Sequence, residues 1–124
     1  MSDKAEKCDP DLLRGNTDIL LLHLINEKGG VYGYRLIKDI NSRSQGFFHL
    51  KEGTVYPLLH KLESEGLIEG RWQKLSNGTE RRCYRITKQG IDALQERLGK
   101  WQSFRAAMEL ILEPLDGDPL EGQA

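Results

Sequence analysis

At Gly66 the hydrophobic pattern of the chain changes period, and that change leaves few small folds open. Upstream, Val55, Leu58, Leu59 and Leu62 recur at i, i+3, i+4 and i+7, the spacing of one helix face. Downstream, Leu67 to Lys74 and Glu80 to Ile86 each read as strands, separated by the turn cluster Leu75-Ser76-Asn77-Gly78-Thr79. Asn77-Gly78 is the strongest short hairpin signal, because both residues accept positive φ. Alternation puts Trp72, Tyr84 and Ile86 on core positions and crowds Lys74, Arg81 and Arg82 at the loop end. From Thr87 the helical period returns. Thr87 caps a long helix with Gln89-Gly90 in its first turn, in which Ile91, Leu94, Leu98, Trp101, Met108, Leu112 and Leu115 follow at steps of three and four. Phe104 and Ile111 widen this stripe, Arg105 holds its one position that is not apolar, and the helix ends near Glu113-Pro114.

Before Gly66 the pattern is helical almost throughout. Asn16 to Gly30 opens with Asn16 or Thr17 as cap, carries Ile19-Leu20-Leu21-Leu22-His23-Leu24-Ile25, and closes on Lys28-Gly29-Gly30. Its apolar residues cover most of the circumference, so it is read as the buried central helix, with His23 a core or interface histidine. Asp9 to Gly15 supports a further helical turn. A second helix runs from Gly33-Tyr34 to about Ser44 with Leu36, Ile37 and Ile40 on one face, and Tyr34 is read as packing. Phe47-Phe48-His49-Leu50 reads as a brief strand. The third helix spans about Glu52 to Gly66, with Gly53 as a tight entry, Gly66 as C-cap, and Pro57 near its first turn.

Composition matters chiefly through charge. The 124 residues carry a net charge of −1, but residues 33–90 hold 11 Lys/Arg and 6 Asp/Glu, a local +5, against −6 in the two flanks. A basic middle between acidic ends suits a protein that meets an anionic polymer with one face. The longest apolar run, Ile19 to Ile25, is too short to span a bilayer, and the polar N-terminus carries no secretion signal, so a cytoplasmic location is expected. Cys8 and Cys83 with three scattered histidines supply neither a disulfide nor a metal site, and no cofactor is expected. No G-x-S-x-G, H-E-x-x-H, P-loop or Cys-x-x-Cys occurs, which speaks against an enzyme.

The order helix, helix, short strand, helix, hairpin, long helix defines a mainly α (α+β) chain: a winged helix-turn-helix domain followed by a long C-terminal dimerisation helix. The expected division is a flexible N-terminus (1–11), the winged-helix DNA-binding domain (12–86), the dimerisation helix (87–113) and a disordered acidic tail (114–124). The third helix is sized for a major groove about 12 Å wide. Thr54, Pro57 and His60 are its candidates for base edges or backbone, and Tyr56 and Lys61 for phosphates. Lys74, Asn77, Arg81 and Arg82 would form the wing contacts, with cations displacing condensed counterions; Trp72 would pack on the wing's base. The final helix carries an apolar stripe longer than one small domain covers, and pairing it with a second copy through Leu94, Leu98, Trp101, Phe104, Met108 and Leu112 would bury it.

The residues themselves resemble those of the PadR family of bacterial regulators. The likeness lies in Gly33-Tyr34-Arg35-Leu36-Ile37, in Gly53 to Ile68, in Arg81 to Gly90 and in the lead-in Leu12-Leu13-Arg14-Gly15, and it covers roughly residues 12 to 112. The resemblance implies a winged-helix domain whose C-terminal helix swaps across a two-fold dimer, bound to an inverted repeat in double-stranded DNA, usually as a repressor. A single final helix looks like the short subgroup. Where the family pattern has the first of two aromatic residues near the end of the wing, this chain has Cys83. The resemblance also implies control by a small planar aromatic effector held beside Trp101 at the dimer seam. Two rival readings stand beside this one: an aromatic-ligand sensor or carrier at that seam, and a winged-helix module for protein assembly.

Overall fold

The computed structural model describes residues 6–114. The expectations for residues 1–5 and for the tail from residue 115 onward lie outside the described residues, as does Leu115 of the apolar stripe. Helix α1 (Pro10–Leu13) is a single turn capped by the Asp9 carboxylate, which accepts from the Asp11 N–H. It begins inside the segment expected to be flexible, and just before it the Cys8 N–H donates to the Phe47 carbonyl at 2.7 Å. Helix α2 (Thr17–Lys28) follows and ends on Gly29 at φ 74°, a left-handed cap whose N–H returns to the Ile25 carbonyl. Neither expected N-cap works as one: Asn16 makes no side-chain capping bond and Thr17 is buried within the first turn.

Leu21, Leu22, Leu24 and Ile25 of α2 are all buried, so this helix is the axis of the core. His23 is not part of it. It points outward beside Glu27, with 3.4 Å between Nε2 and the carboxylate, because its neighbours on both sides already fill the inward face. Around α2 pack α3 (Gly33–Arg43) through Leu36 and Ile40, and α4 (Glu52–Ser64) through Val55, Leu59 and Leu62. Each such side chain removed from water contributes about 1.5–3 kcal/mol.

The strand expected at Phe47 to Leu50 does not form. Asn41 takes the role of a neighbouring strand there: its amide donates to the Leu50 carbonyl at 3.0 Å and accepts the Leu50 N–H at 2.8 Å. Ser44 Oγ accepts the Phe48 N–H. With these backbone groups satisfied by side chains, the segment remains a loop. The third strand is instead β1 (Val31–Tyr32), between α2 and α3. It pairs antiparallel with β3 (Glu80–Ile86), which pairs in turn with β2 (Ile68–Lys74), giving the order β1-β3-β2.

The hairpin closes with Leu75 N–H to the Thr79 carbonyl at 2.7 Å and Gly78 N–H to the Leu75 carbonyl at 2.9 Å. Only Gly78 of the Asn77-Gly78 pair takes a positive φ, 89°. This is the three-residue loop with a left-handed last residue rather than the two-residue turn. Asn77 instead accepts the Thr79 N–H on its side chain.

Helix α5 (Lys88–Leu112) is anchored at its start. Thr87 Oγ1 accepts the Gly90 N–H and lies 2.7 Å from the Gly66 carbonyl oxygen, while the Thr87 N–H reaches the Leu67 carbonyl. A Cβ on Gly90 would stand 2.0 Å from that same Leu67 oxygen, so the helix is seated on the α4–β2 turn at a distance only glycine permits. Leu94 is buried against α2; from residue 99 onward every described residue of the helix is exposed.

Candidate nucleic-acid interface

The face of α4 opposite Val55, Leu59 and Leu62 carries Thr54, Pro57, His60 and Lys61, all exposed. Pro57 is the sixth residue of the helix, in its second turn and not its first, so the Gly53 carbonyl lacks the amide it would otherwise receive. Gly53 itself needs no special backbone angle; it lies open, with nothing within 4 Å of where a Cβ would be. The start of α4 therefore presents bare backbone to whatever it faces. Lys51, immediately before the helix, shares a groove of about 800 Å³ with Thr54, Pro57 and Lys61. It was not singled out from sequence, although its place at a helix start beside a polar face was visible.

Tyr56 is half-buried, and the reason is on α3. Its ring lies over Gly33, where a Cβ would meet Cε1 at 2.7 Å. Burial pushes the phenol above its ordinary range, reinforced by Glu52 and opposed by Arg81. The hydroxyl is thus a neutral donor, held in place by the packing of its own ring.

The wing splits by face. On one face, Arg81 lies over the Tyr34 ring at 5.1 Å, Tyr34 stacks on Tyr32 at 6.1 Å, and the Tyr32 hydroxyl donates to Gln73 Oε1 at 3.0 Å. Tyr34 is accordingly a partly exposed platform for a wing cation rather than a core residue. On the other face, Arg82 is turned back onto the domain: its guanidinium pairs with Glu63 of α4 at 2.5 Å and lies over the Trp72 ring. The Gly70 N–H donates to the same Glu63 carboxylate, and a Cβ at Gly70 would collide with Arg82. Arg82 is therefore a brace at the base of the wing, and of the cations expected at its tip Lys74 and Arg81 remain outward, with Asn77 at the exposed turn.

Trp72 does not pack on the wing's base; it is 64% exposed. Only the first residue of β2, Ile68, is buried, because beyond Gly70 the strand has run past the helices that would cover it. Tyr84 and Ile86 face the core as expected, and Cys83 is buried opposite Tyr32 of β1. The outer face of the sheet adds Arg71 and Arg85, two cations that alternation had placed but that were not singled out.

The apolar stripe of α5 is likewise divided. Leu94, 5% exposed, belongs to the protomer's own core and not to a seam between copies, and Leu98 is half-buried. Trp101, Phe104, Met108 and Leu112 are exposed, as are Leu110 and Ile111. Arg105 lies over the Trp101 ring at 5.6 Å. Among the described residues no three or more His, Cys, Asp or Glu are placed to hold a metal, no helix is long and apolar enough to cross a membrane, and Cys8 and Cys83 are unpaired.

Comparison with known proteins agrees with this arrangement. The model of the transcriptional regulator PadR-like family matches residues 21–96. An uncharacterized protein of Lysinibacillus sphaericus is 35% identical over 106 residues, covering 86% of this chain and 96% of that protein. A transcriptional regulator of Mycobacterium tuberculosis is 34% identical over 98 residues, covering 77% and 82%. The crystal structure of a PadR family transcriptional regulator from Eggerthella lenta superposes with a TM-score of 0.74 at 29% identity, covering 86% of this chain and 89% of that one.

Proposed function

Since the chain belongs to the PadR-like family of transcriptional regulators, we propose that it works as a homodimeric repressor that reads an inverted-repeat operator through α4 and steadies itself with its wing. The observation that carries this reading is the one-sided finish of α4. Val55, Leu59 and Leu62 seal one face into the core, while Thr54, Pro57, His60 and Lys61 are all exposed on the other. In this reading Tyr56 and Lys61 hold phosphates, Thr54, Pro57 and His60 approach base edges or backbone, and Lys74, Asn77 and Arg81 reach the flanking strand. The exposed end of α5 supports a dimer. An apolar stripe over Trp101, Phe104, Met108 and Leu112 is a surface that a soluble monomer leaves costly and that a two-fold copy covers with itself.

The test is selection of bound duplexes from a random pool by the purified chain, with its mass measured in parallel. An inverted repeat with half-sites spaced by about 34 Å or a multiple supports the reading. No duplex preference at moderate salt favours the protein-assembly module, and a monomeric mass removes the basis for a palindrome. Operator binding would go with a cytoplasmic location.

A second element of the proposal is control by a small planar aromatic compound beside Trp101. It is favoured by that ring's 37% exposure where α5 leaves the domain. Titration of tryptophan fluorescence with planar dyes, against Trp101→Ala, tests it; a wild type that binds none removes it.

A further inference from the structure

Helix α5 is held at its first turn by Thr87 and Gly90, but one anchor leaves a rod free to pivot. Leu94 adds apolar packing, which resists separation more than it fixes direction. The directional restraint comes one turn further on. Arg97 Nη1 donates to Asp18 Oδ2 in the first turn of α2 at 2.7 Å, and its Nη2 lies 3.9 Å from Glu65 Oε1, at the C-cap of α4. One guanidinium thus touches the dimer-forming helix, the central helix and the end of the reading helix. Among the described residues, these are the only ion pairs that join α5 to the rest of the domain; its other two lie within the helix itself. The three side chains are each 24–38% exposed, so the restraint is partly shielded from water.

We propose that Arg97 is a positioning residue that sets the angle between α5 and α4, and through it the half-site spacing that the dimer accepts. The proposal rests on the dimeric, operator-binding reading above. The geometry gives the angle its leverage. At 1.5 Å per residue the helix runs roughly 22 Å from Arg97 to Leu112, so a tilt of about 10° at the clamp moves its far end by nearly 4 Å. That is about the rise of one base pair, roughly 3.4 Å, and two-fold symmetry applies the error at both protomers. Such a residue need touch neither DNA nor the partner to decide which operators fit.

The experiment is the same duplex selection with half-sites held constant and the spacer randomised in length, run on wild type, Arg97→Gln, Arg97→Lys and Glu65→Gln. Sedimentation and thermal melting accompany each variant. Wild type is expected to enrich one spacer length. Arg97→Gln, still a folded dimer reading the same half-site, is expected to enrich a broader set and to bind the wild-type optimum roughly fivefold more weakly, the low end of coupling between sites. Arg97→Lys, which keeps a cation between the two carboxylates, is expected to narrow the set again, which loss of bulk stability alone does not predict. A folded Arg97→Gln dimer with the wild-type spacer distribution overturns the proposal. If that variant does not fold, Glu65→Gln decides, since it cuts only the arm to α4: a broadened distribution supports the strut and an unchanged one overturns it. Failure of wild type to enrich any inverted repeat is a different result, which overturns the dimeric reading and this inference with it.

Discussion

One tyrosine and two glycines show how much a single atom decides in this protein. Gly90 is in contact with the Leu67 carbonyl, and the oxygen stands where a Cβ would be, 2.0 Å away. Backbone cannot step aside as a side chain can, so Gly90→Ala should lift α5 off the α4–β2 turn at a cost of at least about 2 kcal/mol. Thermal melting would show it as a fall of several degrees, and an unchanged melting point would mean that α5 is not seated here in solution. Gly33 has the same relation to the Tyr56 ring, and this frames a cleaner test of the reading head. Tyr56→Phe keeps the ring on Gly33 and removes only the hydroxyl, so it should melt like wild type while losing about 1.5–3 kcal/mol of operator binding if that hydroxyl donates to a phosphate. Equal affinity would assign Tyr56 to packing alone. None of these close approaches was legible in the sequence: Gly90 reads there as an ordinary first-turn residue, and nothing local announces that a carbonyl 23 positions away will stand against it.

At the scale of elements the picture was clearer, because period is a property of whole segments. The stripe Val55, Leu58, Leu59, Leu62 and the alternation either side of Leu75–Thr79 placed α4, β2 and β3 to within a residue or two. Two residues of strand are too short to carry a period, so β1 left no trace, while Phe47 to Leu50 has the composition of a strand and the surroundings of a loop. Trp72 and Arg82 mark a subtler limit. Alternation fixes which face a residue takes, but not where along the strand the covering helices stop. The division of the wing that results can be measured. Lys74→Gln and Arg81→Gln should each reduce the slope of log affinity against log salt by about 0.9, the release of one counterion. Arg82→Gln should leave the slope alone and instead lower the melting temperature, because it strands the Glu63 carboxylate beside Gly70 and uncovers Trp72. A salt slope reduced by Arg82→Gln would put that side chain on the phosphates after all.

For the molecule as a whole, the decisive quantity is the apolar surface at the end of α5. The heptad pattern announced it, but could not say how much of it the protomer keeps for itself; Leu94 and half of Leu98 go inward, and the stripe available to a partner begins near Trp101. This predicts a sharp positional contrast. Charge placed on the distal stripe, as in Phe104→Glu with Met108→Glu, should leave the winged domain folded, since neither side chain touches its core, and should convert the protein to monomer at micromolar concentration. Such a monomer still presents one α4 and one wing, so it should retain the weak, steeply salt-dependent affinity for any duplex that a single reading head provides. What it should lose is the preference for the inverted repeat, because that preference arises from two heads held at one spacing by the same rigid rod. Leu94→Glu, only ten residues earlier on the same stripe, should behave differently and unfold the domain itself. Sedimentation of the two variants beside their circular dichroism separates these outcomes, and a dimer that survives both distal charges would mean that the copies meet elsewhere, with α5 serving only its own protomer.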